Sequence, residues 1–166
     1  MRCVLSILLE NEPGALSRIV GLFSQRAFNI ESLTVAPTDD HSLSRMTIET
    51  RGDERVIEQI LKQVNKLVDV LKVTELTEAA YVERELMLVK LNADDAAGRA
   101  DIQRCCEVFR GQIVDMNHQT HTVQLIGAGE KLDAFLQTLR NMAEVVEVVR
   151  SGVVGLSRGE KALKAS

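Results

Sequence analysis

The stretch ENEPGALSRIVGLF, Glu10 to Phe23, leaves an apolar strand through Asn-Glu-Pro-Gly and enters an amphipathic helix at the next residue. Pro13 fixes its own φ and biases Glu12 toward extended backbone. Gly14 permits close backbone approach, or φ values that other residues avoid. A helix beginning near Ala15 leaves its first N–H groups without intrahelical partners. Those donors, with the positive end of the helix dipole, suit a carboxylate or a phosphate. Pro-Gly also punctuates many strand-to-helix turns for geometry alone. Asn29, at the head of FNIESL, carries both an acceptor and a donor, the two kinds of group that a zwitterionic amino acid requires. Taken alone, Asn29 reads as a turn residue between helix and strand.

The other chemistry-bearing residues read as structural. Cys105 and Cys106 lie on an apolar helical stripe and read as small buried hydrophobes. With Cys3 they make an odd count without metal-type spacing, as in a reduced compartment. Asp39-Asp40-His41 reads as a solvated loop, since three consecutive residues rarely converge on one metal. His118 and His121 flank a turn and read as polar surface. Asp94-Asp95 precedes a helix and reads as its cap and dipole complement. No nucleophile, base and orienter assemble from this set, so the expectation is no catalytic residue and no metal ligand.

The elements that position these residues occur twice. CVLSILLE alternates with Cys3, Leu5, Ile7 and Leu9 on one side, which predicts a strand. Leu16, Ile19, Val20 and Phe23 stripe a helix. ESLTVAPT and SRMTIET are two further strands, the second with Met46 and Ile48 on one face. Asp53 is placed to cap a helix striped by Ile57, Ile60, Leu61 and Val64, and VDVLKVTEL closes the unit. The second half repeats the order: ERELMLVKLNA, a helix striped by Ile102, Cys105, Cys106 and Phe109, then QIVDMN and HTVQLIGA. A helix striped by Leu132, Phe135, Leu136 and Leu139 and the strand VVEVVRSG follow. Gly111 is placed just beyond the third helix, where glycine commonly ends one. The reading is α+β: two consecutive ferredoxin-like βαββαβ domains, 1–77 and 78–166, with the boundary in Thr77–Tyr81. The tail SGVVGLSRGEKALKAS exceeds what the last strand needs. It reads either as a frayed basic end or as a segment with a role of its own.

Composition narrows the function classes. The 166 residues are 45% hydrophobic and 27% charged, with net charge −4, which is globular material. The acidic balance disfavours non-specific nucleic-acid binding, and one Tyr, four Phe and no Trp disfavour base-stacking platforms. No apolar run approaches the length of a membrane span, and the N-terminus lacks a signal-peptide cleavage pattern. The expected setting is cytoplasmic, with neither nucleic acid nor membrane as a partner.

LLENEPGALSRIVGLFSQRAFNIESLTVAPT resembles an ACT domain, the small amino-acid-sensing module. More narrowly it resembles the regulatory (small) subunit of acetolactate synthase, or acetohydroxyacid synthase. The resemblance continues through LSRMTIET, LVDVLKVTEL, VERELMLVKLNA and FRGQIVD and ends at RSGVVGLSRGEK. It implies a non-catalytic subunit, with the first domain an ACT domain that pairs side by side into a homodimer. It further implies that valine, the feedback inhibitor of branched-chain amino-acid synthesis, sits at that interface. Asn11, Gly14, Ala15 and Leu16 of one chain would hold its carboxylate, and Asn29 and Ile30 of the partner chain would contact it. The partner implied is the catalytic (large) subunit, which would carry thiamine diphosphate, a divalent metal and FAD; no cofactor is expected in this chain. Two alternatives belong to other classes. A stand-alone amino-acid-responsive regulator, for instance of transcription, would need a DNA-reading element, and no helix-turn-helix candidate lies outside the repeats. A ferredoxin-like metal carrier would place Cys-x-x-Cys in the first turn, which is missing here.

Overall fold

The computed structural model describes residues 1–165. The first repeat runs β1 (Arg2–Glu10), α1 (Ala15–Gln25), β2 (Ser32–Pro37), β3 (Leu43–Arg51), α2 (Glu54–Asn65) and β4 (Val70–Glu75), followed by a 3₁₀ turn, Leu76–Glu78. The second runs β5 (Tyr81–Asn92), α3 (Ala96–Phe109), β6 (Gln112–Met116), β7 (Thr120–Gly127), α4 (Gly129–Met142) and β8 (Val145–Arg150). A last strand, β9 (Val154–Ser157), follows. Each repeat is an antiparallel sheet, ordered β2-β3-β1-β4 and β6-β7-β5-β8. Both are ferredoxin-like, as the repeated pattern predicts.

In the first unit Cys3, Leu5, Ile7 and Leu9 of β1 meet Met46 and Ile48 of β3 and the buried faces of both helices: Ile19 and Phe23 of α1, Ile57, Ile60 and Val64 of α2. Asp53 caps α2 by accepting the Val56 N–H at 2.9 Å. In the second unit Met87, Val89 and Leu91 pack with Ile102, Cys105 and Cys106 of α3 and Leu132, Phe135 and Leu139 of α4. The vicinal cysteines are therefore core.

Four details depart from the expectations. The alternation of β1 describes one buried face, yet Val4, Ser6 and Leu8 on the other are buried too. Part of the cover is the tail. Val153 packs with Val4 and Leu76; its N–H donates to Ser32 Oγ at 3.3 Å and its carbonyl accepts from Thr34 Oγ1 at 3.0 Å. Arg45 then bridges Ser6 Oγ (2.8 Å) and the Gly155 carbonyl (3.1 Å).

That packing also moves the division of the chain. The compact units are Met1–Val82 with the tail from Val153, and Glu83–Gly152. The tail from Val153, placed with 78–166 by the repeat pattern, thus packs with the first unit. Ser166 lies outside the described residues. His121 is not surface: it is 4% exposed, on the core face of β7 with Val123 and Leu125, and its Nδ1 has no hydrogen-bond partner among the described residues. Finally, the left-handed residue ending α3 is Arg110, φ 63°. Gly111 follows it, where a Cβ would stand 3.0 Å from the Gln124 carbonyl and 3.3 Å from Phe135. Close approach, not φ, requires that glycine.

Candidate functional site

β1 leaves its sheet at Glu10, whose N–H donates to the Asp69 carbonyl at 2.9 Å. Asn11 is held twice to the loop between β2 and β3: its N–H donates to the Ser42 carbonyl (2.8 Å) and its Nδ2 to the His41 carbonyl (3.0 Å). Gly14 is the N-cap of α1 at φ 86°, with no side-chain cap, so this turn requires the left-handed backbone that glycine supplies. The Arg18 N–H makes the first helical bond, to the Gly14 carbonyl at 3.0 Å, and the Ala15 N–H is taken by the Glu12 carbonyl at 3.2 Å. Among the described residues the N–H groups of Gly14, Leu16 and Ser17 meet no backbone acceptor. They form an exposed cluster of donors at the positive end of α1.

The six expected site residues fall into two groups. Gly14, Asn11 and Leu16 are exposed at the turn, whereas the Ala15 side chain is buried in the core, leaving it only a backbone part in any site. Asn29 and Ile30 lie beyond the far end of α1. Asn29 is exposed, with its carbonyl accepting from Thr50 Oγ1, and Ile30 packs partly on the first core. The 11 residues of α1 separate the two groups by about 16 Å of helix. One chain therefore does not bring them together.

Two residues absent from the expected set shape the turn. Arg18 donates from Nε and Nη2 to Asp69 Oδ2 (2.5 Å) and Oδ1 (3.0 Å), a fork on a carboxylate only 7% exposed. Its Nη1 lies 2.9 Å from where a Cβ on Gly14 would stand. Hydrogen bonding from Arg18 holds the Asp69 carboxyl below the usual carboxylate range, and the Arg18 pKa is raised in return. The spacing carried a signal: a residue four beyond an N-cap projects back over the first turn. With Nε and Nη2 held by Asp69, Arg18 presents its Nη1 over the turn, a further hydrogen-bond donor beside the backbone N–H groups.

Nucleophilic chemistry finds little support elsewhere. Burial, with Glu75 beside it, pushes the Cys3 thiol up to about 12, and burial pushes Cys106 up to about 11; thiolates are the reactive form. Among the described residues no three His, Cys, Asp or Glu side chains are grouped to hold a metal, and no helix is long and apolar enough to cross a membrane.

A βαββαβ unit whose first turn ends in a glycine-capped, donor-rich helix start, in tandem with a second such unit, is the build of an ACT-type regulatory protein. Residues 5–72 match the family model described as AHAS small subunit-like ACT domain, and residues 84–159 match that of the small subunit of acetolactate synthase. The acetolactate synthase isozyme 3 small subunits of Salmonella typhimurium and Escherichia coli are 64% and 63% identical to this chain over 164 residues, covering 99% of it and all of each relative. A crystal structure of the acetolactate synthase small subunit from Thermotoga maritima superposes with a TM-score of 0.85 at 37% identity, covering 97% of this chain and 99% of that one. The chain belongs to the acetolactate synthase small-subunit family.

Proposed function

We propose that this chain is the regulatory subunit of a cytoplasmic acetolactate synthase: it joins a separate catalytic subunit, raises its activity and makes it sensitive to valine. The observation that carries the effector reading is the Gly14 turn, which presents unpaired N–H donors beneath the Arg18 guanidinium. An amino acid's carboxylate would lie on the Gly14 and Leu16 N–H groups. Asn29 and Ile30 would come from a second copy, because α1 holds them away from the turn of their own chain. β2 is an edge strand of its sheet, and pairing of two such edges around a two-fold axis would make one site for each chain.

Valine then acts as an allosteric ligand. It must bind one arrangement of the assembly better than another, and a preference of about 1–3 kcal/mol is ordinary for such coupling. Thiamine diphosphate, a divalent metal and FAD belong to the catalytic partner in this reading, and no bond-making step is assigned to this chain. Reconstitution tests the proposal. Adding the full chain to the catalytic subunit should raise acetolactate formation and introduce valine inhibition absent from the catalytic subunit alone. Unchanged activity and unchanged valine response would contradict it.

A further inference from the structure

Asp69 braces the Gly14 turn from both sides. Its carbonyl accepts the Glu10 N–H at 2.9 Å, where β1 ends. Its carboxylate, 7% exposed, takes Nε and Nη2 of Arg18 in the first turn of α1. Strand exit and helix start are thus tied to one residue. A brace of this kind needs only those two nitrogens, and Arg18 has a third. The guanidinium is planar and rigid, so holding Nε and Nη2 also fixes where Nη1 goes.

Nη1 is delivered against Gly14. A Cβ at residue 14 would stand 2.9 Å from it, so glycine here clears the guanidinium as well as adopting φ 86°. Among the described residues Nη1 has no hydrogen-bond partner; the remaining contact of Arg18 is made by Nη2, to the Pro13 carbonyl at 3.5 Å. The N–H groups of Gly14, Leu16 and Ser17, which meet no backbone acceptor, open at the same turn. A side-chain donor therefore joins the backbone donors at one exposed position.

We infer that Arg18 is a ligand of the effector's carboxylate through Nη1, and that Asp69 is the positioning residue that aims it. This rests on the effector reading above and adds to it the side chain that meets the charged end of the amino acid. One guanidinium then serves two carboxylates, that of Asp69 and that of the effector, as five N–H donors in a fixed fork allow. Because Asp69 offsets the charge of Arg18, the contribution is a directed hydrogen bond to a charged acceptor rather than a free positive field. A lysine ammonium, a point charge on a flexible stem, could not be aimed by the same carboxylate.

Calorimetry and guanidinium NMR on the full chain test this. Valine should bind roughly 10- to 150-fold more weakly in Arg18→Lys, the worth of one hydrogen bond to a charged group. Asp69→Asn keeps the guanidinium but loosens its aim, and should fall between that variant and wild type. In the wild-type chain, saturating valine should slow rotation about the Arg18 Cζ–Nη1 bond, with the signals identified by their loss in Arg18→Lys. A side chain that only braces the turn shows no such change. Wild-type affinity in Arg18→Lys, or Nη1 rotation that valine leaves unaltered, overturns the inference while the backbone donors stand as the effector's site. No valine binding by the wild-type chain overturns the effector reading, and this inference with it.

Discussion

At the scale of single residues, the turn depends on a charge pair and on one left-handed glycine, and the far end of α1 on a left-handed alanine. Arg18 stays over Gly14 because Asp69 holds two of its nitrogens. The Asp69 carboxyl is held below the ordinary range, so its stabilising part is complete above the unfolded-chain value of about 3.9. That part is lost as pH falls through the lower folded value. Asp69→Asn should therefore be less stable than wild type near neutrality, with the gap narrowing below about pH 4, as urea midpoints across pH would record. A gap that is constant with pH would contradict this. Ala27, just after α1, sits at φ 55°, where a Cβ is strained. Ala27→Gly should stabilise the chain by about 0.5–1 kcal/mol, measured by urea denaturation.

At the scale of elements, the tail is the part whose role the chain's own periodicity could not supply. Strands and helices were legible because their apolar residues repeat at 2 and 3.6, and the Asp53 and Asp95 caps were legible as acidic residues before a striped helix. The double burial of β1 was not, because its cover includes Val153, some 150 positions away in the chain. His121 shows a signal left unused: it is in phase with Val123 and Leu125 in HTVQLIG, which puts it inside. The Gly14 turn was legible as donor-rich, but the Arg18–Asp69 pair was not, since only the fold brings those residues together. Val153 is held through both its backbone polar groups by Ser32 and Thr34. Removing both side chains, Ser32→Ala with Thr34→Val, should speed amide exchange at Val153 roughly 30-fold at net hydrogen-bond strengths near 1 kcal/mol each. Exchange as slow as in wild type would mean that the tail is held by Val153 packing and Arg45 alone.

At the scale of the whole molecule, the two repeats of one fold differ in how their first helices begin. Gly14 leaves donors open and places Arg18 above them, whereas Asp95 closes its own helix start. The open turn and Asn29 lie at opposite ends of α1 in one chain, so the proposed site would be completed by a second copy, and this would link effector binding to dimerisation. This arrangement suits a subunit that reports an amino acid's concentration to a separate enzyme.

Calorimetric titration of the full chain with valine, beside leucine and phenylalanine, decides whether the Gly14 turn holds valine as proposed. Gly14→Asp would add a like charge at the carboxylate position and force an L side chain into φ 86°. Valine should bind saturably, and this single change should abolish the binding while the chain stays folded by circular dichroism. Valine binding of unchanged affinity in Gly14→Asp would contradict it.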